Sequence, residues 1–333
     1  MKTIANLLIR PPRTNYSTIE LGSKRLEIFG QDFIRQDIQI KNSRGLNLAC
    51  SHFIPKNSNL SIPCVIYCHG NSGSRMDCLD SLAYILPNGI SLFCFDFSGA
   101  GLSEGDFLSM GYFEQDDIRA VIEYLSRSHI TRIGLWGRSM GAVACLLYAS
   151  SDQSIDFVVA ESPFSSLDEL CTDLVKNYAK LPAFLSNLIV RGLRKVVLKE
   201  GNFDICQVNV MNVIEKIKSK IFLLHSPEDE MVPIKHSYNI LEKGNSVSLM
   251  EITGDHNKPR DMETLESIST YIIDTFDERS FEEDISEEAV PCLPSLPKPV
   301  RSTHCRKKTD ICVGNYIPEN KFRQALKELN PNI

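Results

Sequence analysis

The sequence predicts an α/β protein built on a mostly parallel sheet with helices on both faces. Three short and almost wholly apolar runs, at 64–68, 90–95 and 133–136, are typical of strands that are buried on both faces. Stretches at 76–86 and 112–125 lie between these runs and carry apolar residues at helical spacing. Strands that alternate with helices along the chain favour a parallel sheet.

The remaining elements extend this pattern in both directions. Residues 33–40 and 46–54 alternate like a half-exposed hairpin around a turn at 42–45, and further strands are expected at 157–160, 221–224 and 247–252. We therefore divide the chain into an N-terminal arm (1–32), one α/β domain (33–277) and a disordered tail (278–333) with a short helix candidate at 319–329.

Composition narrows the class of function. The 333 residues carry a formal net charge of −6, which argues against nucleic acid as the main partner. The 11 cysteines include no CxxC pair and no zinc-like spacing, so reduced, buried thiols in a cytoplasmic protein are expected. The sequence also lacks an apolar run of the ~18 residues that a membrane span requires.

Two GxSxG motifs compete for the role of a nucleophile elbow, the sharp strand-to-helix turn that exposes a catalytic serine. One is centred on Ser103 and the other on Ser139. Ser139 follows a buried strand and precedes a helix of small and apolar residues, whereas Ser103 lies in a glycine-rich loop. We therefore predict Ser139 as the nucleophile and a structural role for Ser103.

A serine nucleophile needs a histidine base and an acid that orients the base. Glu228, Asp229 and Glu230 all follow the strand at 221–224, and turn chemistry favours Asp229. Of the histidines later in the chain, His236 falls within a helix pattern and His304 in the polar tail. His256 follows the strand at 247–252, so it is expected beside the other two loops.

Two backbone N–H groups should form the oxyanion hole, which stabilises the negatively charged oxygen of the tetrahedral intermediate. The first is that of Met140, the residue after the nucleophile. The second belongs to the loop at 69–73, where Asn71 is the candidate donor and its neighbour Ser72 stays open.

Five motifs in this order resemble those of the α/β-hydrolase superfamily: His69-Gly-Asn-Ser-Gly, Asp96-Phe-Ser-Gly-Ala-Gly-Leu-Ser, Gly137-Arg-Ser-Met-Gly, Asp229-Glu-Met-Val-Pro and Gly254-Asp-His. They are most similar to the serine aminopeptidase-like group of plants and protists, which has lysophospholipase and acyl-protein thioesterase relatives. The resemblance covers about residues 10–277 and implies that Ser139, Asp229 and His256 form a catalytic triad. One departure is His225-Ser226, where relatives often carry His-Gly.

The function implied is a serine hydrolase that cleaves an ester or thioester of a lipid or acylated molecule through an acyl-enzyme, without metal or organic cofactor. Two alternatives stay open: an aminopeptidase-type amide hydrolase, and a hydrolase-fold binding protein without catalysis. The fold is poorly specific for substrate, because it hosts many reactions.

The resemblance also implies a helical cap over the site at about 163–218, with helices near 166–178 and 183–199. Between residues 174 and 199 it carries six basic residues and no acidic one: Lys176, Lys180, Arg191, Arg194, Lys195 and Lys199. One interpretation is a solvated basic face of a packed helix, and the other is peripheral contact with an anionic membrane.

Overall fold

A computed structural model describes residues 2–56, 62–128, 130–179 and 183–284. Nine strands form one sheet: β1 (Arg25–Ile28), β2 (Gln31–Lys41), β3 (Asn47–Pro55), β4 (Ile62–Cys68), β5 (Ser91–Phe95), β6 (Ile130–Arg138), β7 (Ile155–Glu161), β8 (Lys220–His225) and β9 (Val247–Glu251). Their order is β1-β2-β3-β5-β4-β6-β7-β8-β9. The first four strands of this order pair antiparallel, and β5, β4 and β6 to β9 pair parallel. The predicted mostly parallel sheet is confirmed.

Eight α-helices accompany the sheet in the described ranges: α1 (Lys2–Ile9), α2 (Leu82–Ile85), α3 (Glu114–Leu125), α4 (Met140–Ala149), α5 (Leu167–Ala179), α6 (Ala183–Gly201), α7 (Lys235–Lys243) and α8 (Met262–Asp284). One hydrophobic cluster joins the sheet to α3, α4 and α7, and a second joins it to α2 and α8. Helices therefore cover both faces, as the α/β pattern requires.

The helix expected at 76–86 is mostly 3-10 helix. Turns of this kind at Arg75–Ser81 and Leu86–Asn88 flank the four residues of α2. Ser74 accepts a hydrogen bond from the Met76 N–H at the start, and Pro87 removes a backbone donor near the end. These local constraints leave room for only one α-helical turn between them.

The N-terminal segment differs from the expected arm. Residues Ile4, Ala5, Leu8 and Ile9 of α1 are buried in the larger core cluster, and β1 lies within the same segment. The expectation of an arm was wrong for these residues, because the eight-residue apolar helix α1, too short to be distinctive in sequence, packs against α6.

The chain between β7 and β8 contains α5, α6 and three short 3-10 turns (Ile205–Gln207, Val210–Asn212 and Ile214–Lys216), where the cap helices are expected. At the C-terminal side, α8 extends to Asp284, six residues past the predicted start of the tail at 278. The rest of that tail, with the helix candidate at 319–329, lies outside the described residues.

Candidate active site

Ser139 lies on a sharp turn between β6, which ends at Arg138, and α4, which begins at Met140. Its backbone has φ 52° and ψ −116°, a region that non-glycine residues rarely occupy and that costs about 1–3 kcal/mol. Such strain persists only where the surrounding structure enforces it, and it is typical of functional sites.

The glycines on either side of Ser139 are required by close packing. A Cβ atom on Gly141 would lie 2.1 Å from the carbonyl oxygen of Cys68, and one on Gly137 would lie 2.4 Å from that of Gly141. Both separations are far below van der Waals contact, so glycine is needed at both positions. The GxSxG pattern around Ser139 is thus a consequence of the turn's geometry.

The three side chains predicted as a triad are brought together from three different loops. His256 Nε2 lies 3.0 Å from Ser139 Oγ, and His256 Nδ1 lies 2.6 Å from Asp229 Oδ2. All three side chains sit at the carboxyl end of the parallel strands β6, β8 and β9. The arrangement allows proton transfer between serine and imidazole while the carboxylate orients the ring.

Asp229 is held by its own loop as well as by the histidine. Its Oδ1 accepts hydrogen bonds from the backbone N–H groups of Met231 (3.0 Å) and Val232 (2.7 Å). Burial raises the pKa of Asp229, but the charge of His256 and the hydrogen bonds from His225 and His256 lower it by more than burial raises it. The net result is a pKa well below the usual range, so the carboxylate is ionised at neutral pH.

The competing acids and bases lie elsewhere. Glu228 and Glu230 are both exposed, and Glu228 Oε2 accepts a hydrogen bond from the Gly254 N–H. His236 is buried against Ser165, with Nδ1 2.7 Å from Ser165 Oγ, and His304 lies outside the described residues.

Ser103 has a structural place in its loop. Its hydroxyl donates to the carbonyl oxygen of Asp96 and accepts from the Ala49 N–H at 2.8 Å, so it ties the loop after β5 to strand β3. This agrees with the role predicted for the second GxSxG motif.

The loop at 69–73 borders the same pocket as Ser139 and His256. Asn71 and Ser72 both line this pocket, and α4 begins at Met140, directly after Ser139. The first N–H groups of a helix have no acceptor within the helix, so the N–H of Met140 is available to an incoming oxygen. The Asn71 side chain turns away to the N-terminal helix, where Nδ2 donates to the Leu7 carbonyl at 3.4 Å.

Arg138 is a site residue that the motif search did not single out. Its Nη2 donates to the carbonyl oxygens of His256 (2.8 Å) and Lys258 (3.0 Å) and so braces the loop that carries the histidine. A second brace joins Arg260 of that loop to the buried Glu161 at the end of β7. The one signal in the sequence that could have identified Arg138 is an arginine at the end of an otherwise apolar strand, because an arginine is seldom fully buried without partners.

The pocket beside Ser139 is mainly apolar. Its walls include Leu7 and Leu8 of α1 together with Leu170 and Leu174 of α5. Further lining residues come from the surrounding loops: Met110, Met231 and Val232. In the described part of the chain, no group of three or more His, Cys, Asp or Glu side chains is placed to hold a metal ion.

A mostly parallel sheet with this elbow defines the class of protein as an α/β hydrolase. The family described as "Serine aminopeptidase, S33" matches residues 62–202. Among solved structures, an esterase of Pyrococcus furiosus covers 84% of this chain and 98% of its own, with a TM-score of 0.57 and 24% identity. Acetyl xylan esterase 1 of Thermoanaerobacterium has a TM-score of 0.56 at 17% identity, covering 75% of this chain and 86% of its own.

Comparison with proteins of similar sequence identifies the family within this class. The uncharacterized protein YqkD of Bacillus subtilis is 30% identical over 223 residues, which are 65% of this chain and 71% of YqkD. An uncharacterized 31.7 kDa protein of Escherichia coli is 29% identical over 180 residues, which are 53% of this chain and 61% of that protein. The chain belongs to the family of α/β hydrolases that includes YqkD.

Proposed function

We propose that this protein is a serine esterase or thioesterase that acts through an acyl-enzyme on Ser139. The observation that carries the proposal is the continuous contact from Ser139 Oγ through the imidazole of His256 to Asp229, at 3.0 and 2.6 Å. These are the distances of a nucleophile with a base and an orienting acid. The residues come from three loops, so their convergence is not a local accident of sequence.

In the first half of the cycle, Ser139 Oγ attacks the substrate carbonyl carbon and its proton passes to His256 Nε2. We propose that the N–H groups of Met140 and Asn71 stabilise the oxyanion that forms. The carbon–oxygen or carbon–sulfur bond to the leaving group then breaks, and the leaving group takes the proton from His256. The acyl group stays on Ser139.

In the second half, water attacks the acyl carbon and gives its proton to His256. Collapse of the second intermediate breaks the bond to Ser139 Oγ, which takes the proton back, and the carboxylic acid leaves. Asp229 stays ionised throughout and stabilises the imidazolium. Each step uses groups of this chain and water alone.

The pocket supports an acylated or lipid substrate over a peptide. Its walls beside Ser139 carry leucine and methionine side chains, which bind an apolar acyl chain. An amide hydrolase of the aminopeptidase type is the alternative that the family description keeps open. The likeness to the plant and protist group with lysophospholipase relatives stays a prediction.

A fluorophosphonate probe tests the proposal directly. Wild-type protein should be labelled on Ser139, whereas Ser139→Ala should not be labelled, with Ser103→Ala as a matched control that keeps its label. p-Nitrophenyl and thioester substrates should be hydrolysed at least 100-fold faster than the matching anilide. An unlabelled but folded wild-type protein would instead indicate a binding protein, and equal anilide cleavage would indicate an amidase.

We further propose that the outer face of α6 contacts anionic membranes. Leu188 and Leu198 are 64% and 50% exposed, and Arg191, Lys195 and Lys199 share the exposed face with them. Arg194 is paired with Asp204 and does not contribute. An exposed helical face that combines leucine with basic residues is typical of contact with the headgroup region.

Vesicle co-sedimentation tests this contact. Wild-type protein should bind vesicles with 30% phosphatidylserine more strongly than neutral phosphatidylcholine vesicles. Changing Arg191, Lys195 and Lys199 to Gln should remove the difference, whereas the same change at the exposed Lys24, Arg25 and Lys41, in and beside β1 and β2, should not. Equal binding of both vesicle types by wild type would overturn the proposal.

We also propose that the protein is located in the cytoplasm. Within the ranges that the structure describes, no helix is long and apolar enough to cross a bilayer. The eight cysteines of those ranges are all free thiols, which supports a reducing compartment such as the cytoplasm.

A further inference from the structure

The N-terminal segment crosses the active-site face of the domain. Besides the Asn71 contact to the Leu7 carbonyl, the Ile9 carbonyl accepts a hydrogen bond from the Leu108 N–H at 2.8 Å. A few residues later, Thr14 Oγ1 donates to the carbonyl oxygen of Ser72 at 2.8 Å. The segment is therefore attached to the loop at 69–73, which also carries the candidate oxyanion donor.

A second set of contacts fixes the same segment to the loop after β5. Arg13 donates from all three guanidinium nitrogens to backbone carbonyls of this loop, at 3.2 Å to Gly99, 3.1 Å to Ser103 and 2.6 Å to Gly105. An arginine with five donors in a fixed plane is well suited to such a triple contact. The end of α1 is thus held on two sides.

On its other side, α1 packs against the cap. Lys2 and Arg10 both lie 3.5 Å from carboxylate oxygens of Glu200 near the end of α6. Ile9 of α1 is close to Gly201, where an added Cβ would lie 3.6 Å from Ile9 Cδ1. Since α6 itself packs on α5, α1 bridges the cap and the catalytic domain.

These attachments place two leucines of α1 in the wall of the pocket. Leu8 is 6% exposed and Leu7 is half-buried, and both line the pocket with Ser139. Leu170 and Leu174 of α5 line the same pocket, so α1 and α5 form two of its apolar walls. The rest of the lining comes from loops and is partly apolar (Met110, Met231 and Val232) and partly polar (Asp77, Arg138, Ser139 and His256 among others).

We infer that α1 forms the acyl-binding wall of the active site and that Leu7 and Leu8 set the length of the acyl chain that the enzyme accepts. The inference rests on the proposed function, because it assigns the apolar part of the pocket to the acyl group of the substrate. Each methylene group buried between α1 and α5 should raise kcat/KM by roughly fourfold until the chain reaches the wall. Beyond that length, kcat/KM should fall.

The test compares kcat/KM for p-nitrophenyl esters with acyl chains from two to sixteen carbons. Leu7→Ala and Leu8→Ala enlarge the pocket and should shift the best chain length upward by two carbons or more. Leu7→Trp should lower kcat/KM for the wild type's best ester by about tenfold or more, while the acetyl ester changes by less than about threefold. Ile19→Ala, at an exposed position outside the pocket lining, is the control and should leave the profile unchanged.

Fluorophosphonate labelling distinguishes a failure of the acyl-wall inference from a failure of the proposed function. If Ser139 is labelled in every variant and the chain-length profile does not move, α1 is not the acyl wall. The same conclusion holds if the variants change the preference for the alcohol part of the ester instead. If folded wild-type protein is neither labelled nor hydrolytic, the proposed function fails and the inference fails with it. Leu7 is half-buried, so its variants should keep the wild-type melting temperature within a few degrees.

Discussion

At the residue scale, the elbow around Ser139 depends on backbone segments that pack against each other at very short range. Gly141 packs against the carbonyl oxygens of Cys68 and His69, at 2.1 and 2.6 Å from where its Cβ would be. The loop at 69–73, which we propose supplies an oxyanion donor, and helix α4 are therefore in direct backbone contact. This is why the turn can hold a positive φ at a serine.

We expect Gly141→Ala to prevent the elbow from forming. No flexible side chain can move aside, because the contacted atoms belong to the backbone, and the loss of stability should be about 3 kcal/mol or more. Gly70→Ala is the matched control, since its Cβ would lie 3.6 Å from the nearest atom, an ordinary contact. Urea unfolding should show a large loss of stability for Gly141→Ala and a small one for Gly70→Ala. Similar losses for both would contradict this account.

Arg138 supplies a second prediction at this scale. Without its two hydrogen bonds to the loop at 256–258, the imidazole should lose its alignment, and an error of ~1 Å in a catalytic group costs about 100-fold in rate. We therefore expect Arg138→Met to lower kcat about 10- to 100-fold at nearly constant KM. Arg138→Lys should restore part of the loss.

Arg132→Met provides the control for Arg138, because Arg132 is also on β6 but pairs with Asp156 and the carbonyl of Phe276, away from the pocket. It should lower the melting temperature without changing kcat. A raised KM with unchanged kcat in Arg138→Met would show that the guanidinium binds substrate and does not position the histidine.

At the element scale, the placement of α5 over the site depends on a partly buried polar contact with the start of α7. Lys235 lies 2.6 Å from Asp173 and 3.3 Å from Glu169, both on α5, and the buried His236 lies 3.3 Å from Asp173. Burial raises the pKa of Asp173, but the hydrogen bonds and charges of Lys235 and His236 outweigh this and hold it below its usual range. The ionised carboxylate thus fastens the cap helix to the domain.

Asp173→Asn should loosen α5 without unfolding the domain. Removing the charge of Asp173 takes one ion-pair partner from the half-exposed Lys235 and a hydrogen-bonding carboxylate from the buried His236. Amide hydrogen exchange in Leu167–Ala179 should accelerate about tenfold or more, whereas exchange in Glu114–Leu125 should stay unchanged. The exposed Glu263→Gln is the control. Uniform acceleration in both helices would mean that the contact stabilises the whole domain and not the cap.

At the scale of the whole molecule, a buried carboxylate joins the central sheet to the catalytic loop. Glu161 ends β7, and its two oxygens accept hydrogen bonds from Trp136 Nε1 (2.6 Å) and from Arg260. Burial raises the pKa of Glu161, but the charges of Arg260 and Arg138 outweigh it, so the pKa lies below its ordinary value of 4.5. Because the folded pKa is depressed, this group stabilises the fold above pH 4.5, and that contribution is lost as the pH falls through the folded value.

Glu161→Gln should therefore lower the melting temperature at pH 7, where removing one partner of a buried ion pair costs about 3 kcal/mol. The difference from wild type should shrink as the pH falls below 4.5. Differential scanning calorimetry from pH 7 to 3.5 measures both effects, with the exposed Glu263→Gln as the control. A difference that stays constant over this range would show that the charge of Glu161 contributes no stability.

Much of the sheet could be predicted from the chain because parallel strands buried on both faces appear as short apolar runs. The runs at 64–68 and 133–136 lie inside β4 and β6, with only their ends misjudged. In contrast, α1 could not be predicted, because eight residues are too few to form a stable helix alone. Its stability comes from packing on α6, which lies more than 170 residues away in the sequence.

The candidate site also contains residues that the sequence could predict and residues that it could not. The order of Ser139, Asp229 and His256 along the chain, each after a strand, indicated the three residues, since loops at the carboxyl edge of a parallel sheet converge. The choice of Asp229 over Glu228 and Glu230 also needed turn chemistry and the family resemblance. The braces from Arg138 and Arg260 carry no such signal, because each partner is a backbone carbonyl or a carboxylate from a remote element.

By itself, the sequence determined the α/β sheet, the elbow and the three residues that meet there, since these follow from local patterns repeated in a set order. Only the tertiary structure decided which side chains enclose the site: that the N-terminal helix is a wall of the pocket, and that Leu170 and Leu174 of the expected cap helix line the same pocket. The physical reason is that a pocket wall is made by apolar side chains with no pattern of their own. Leu7 and Leu8 resemble any other leucines until the fold places them beside Ser139.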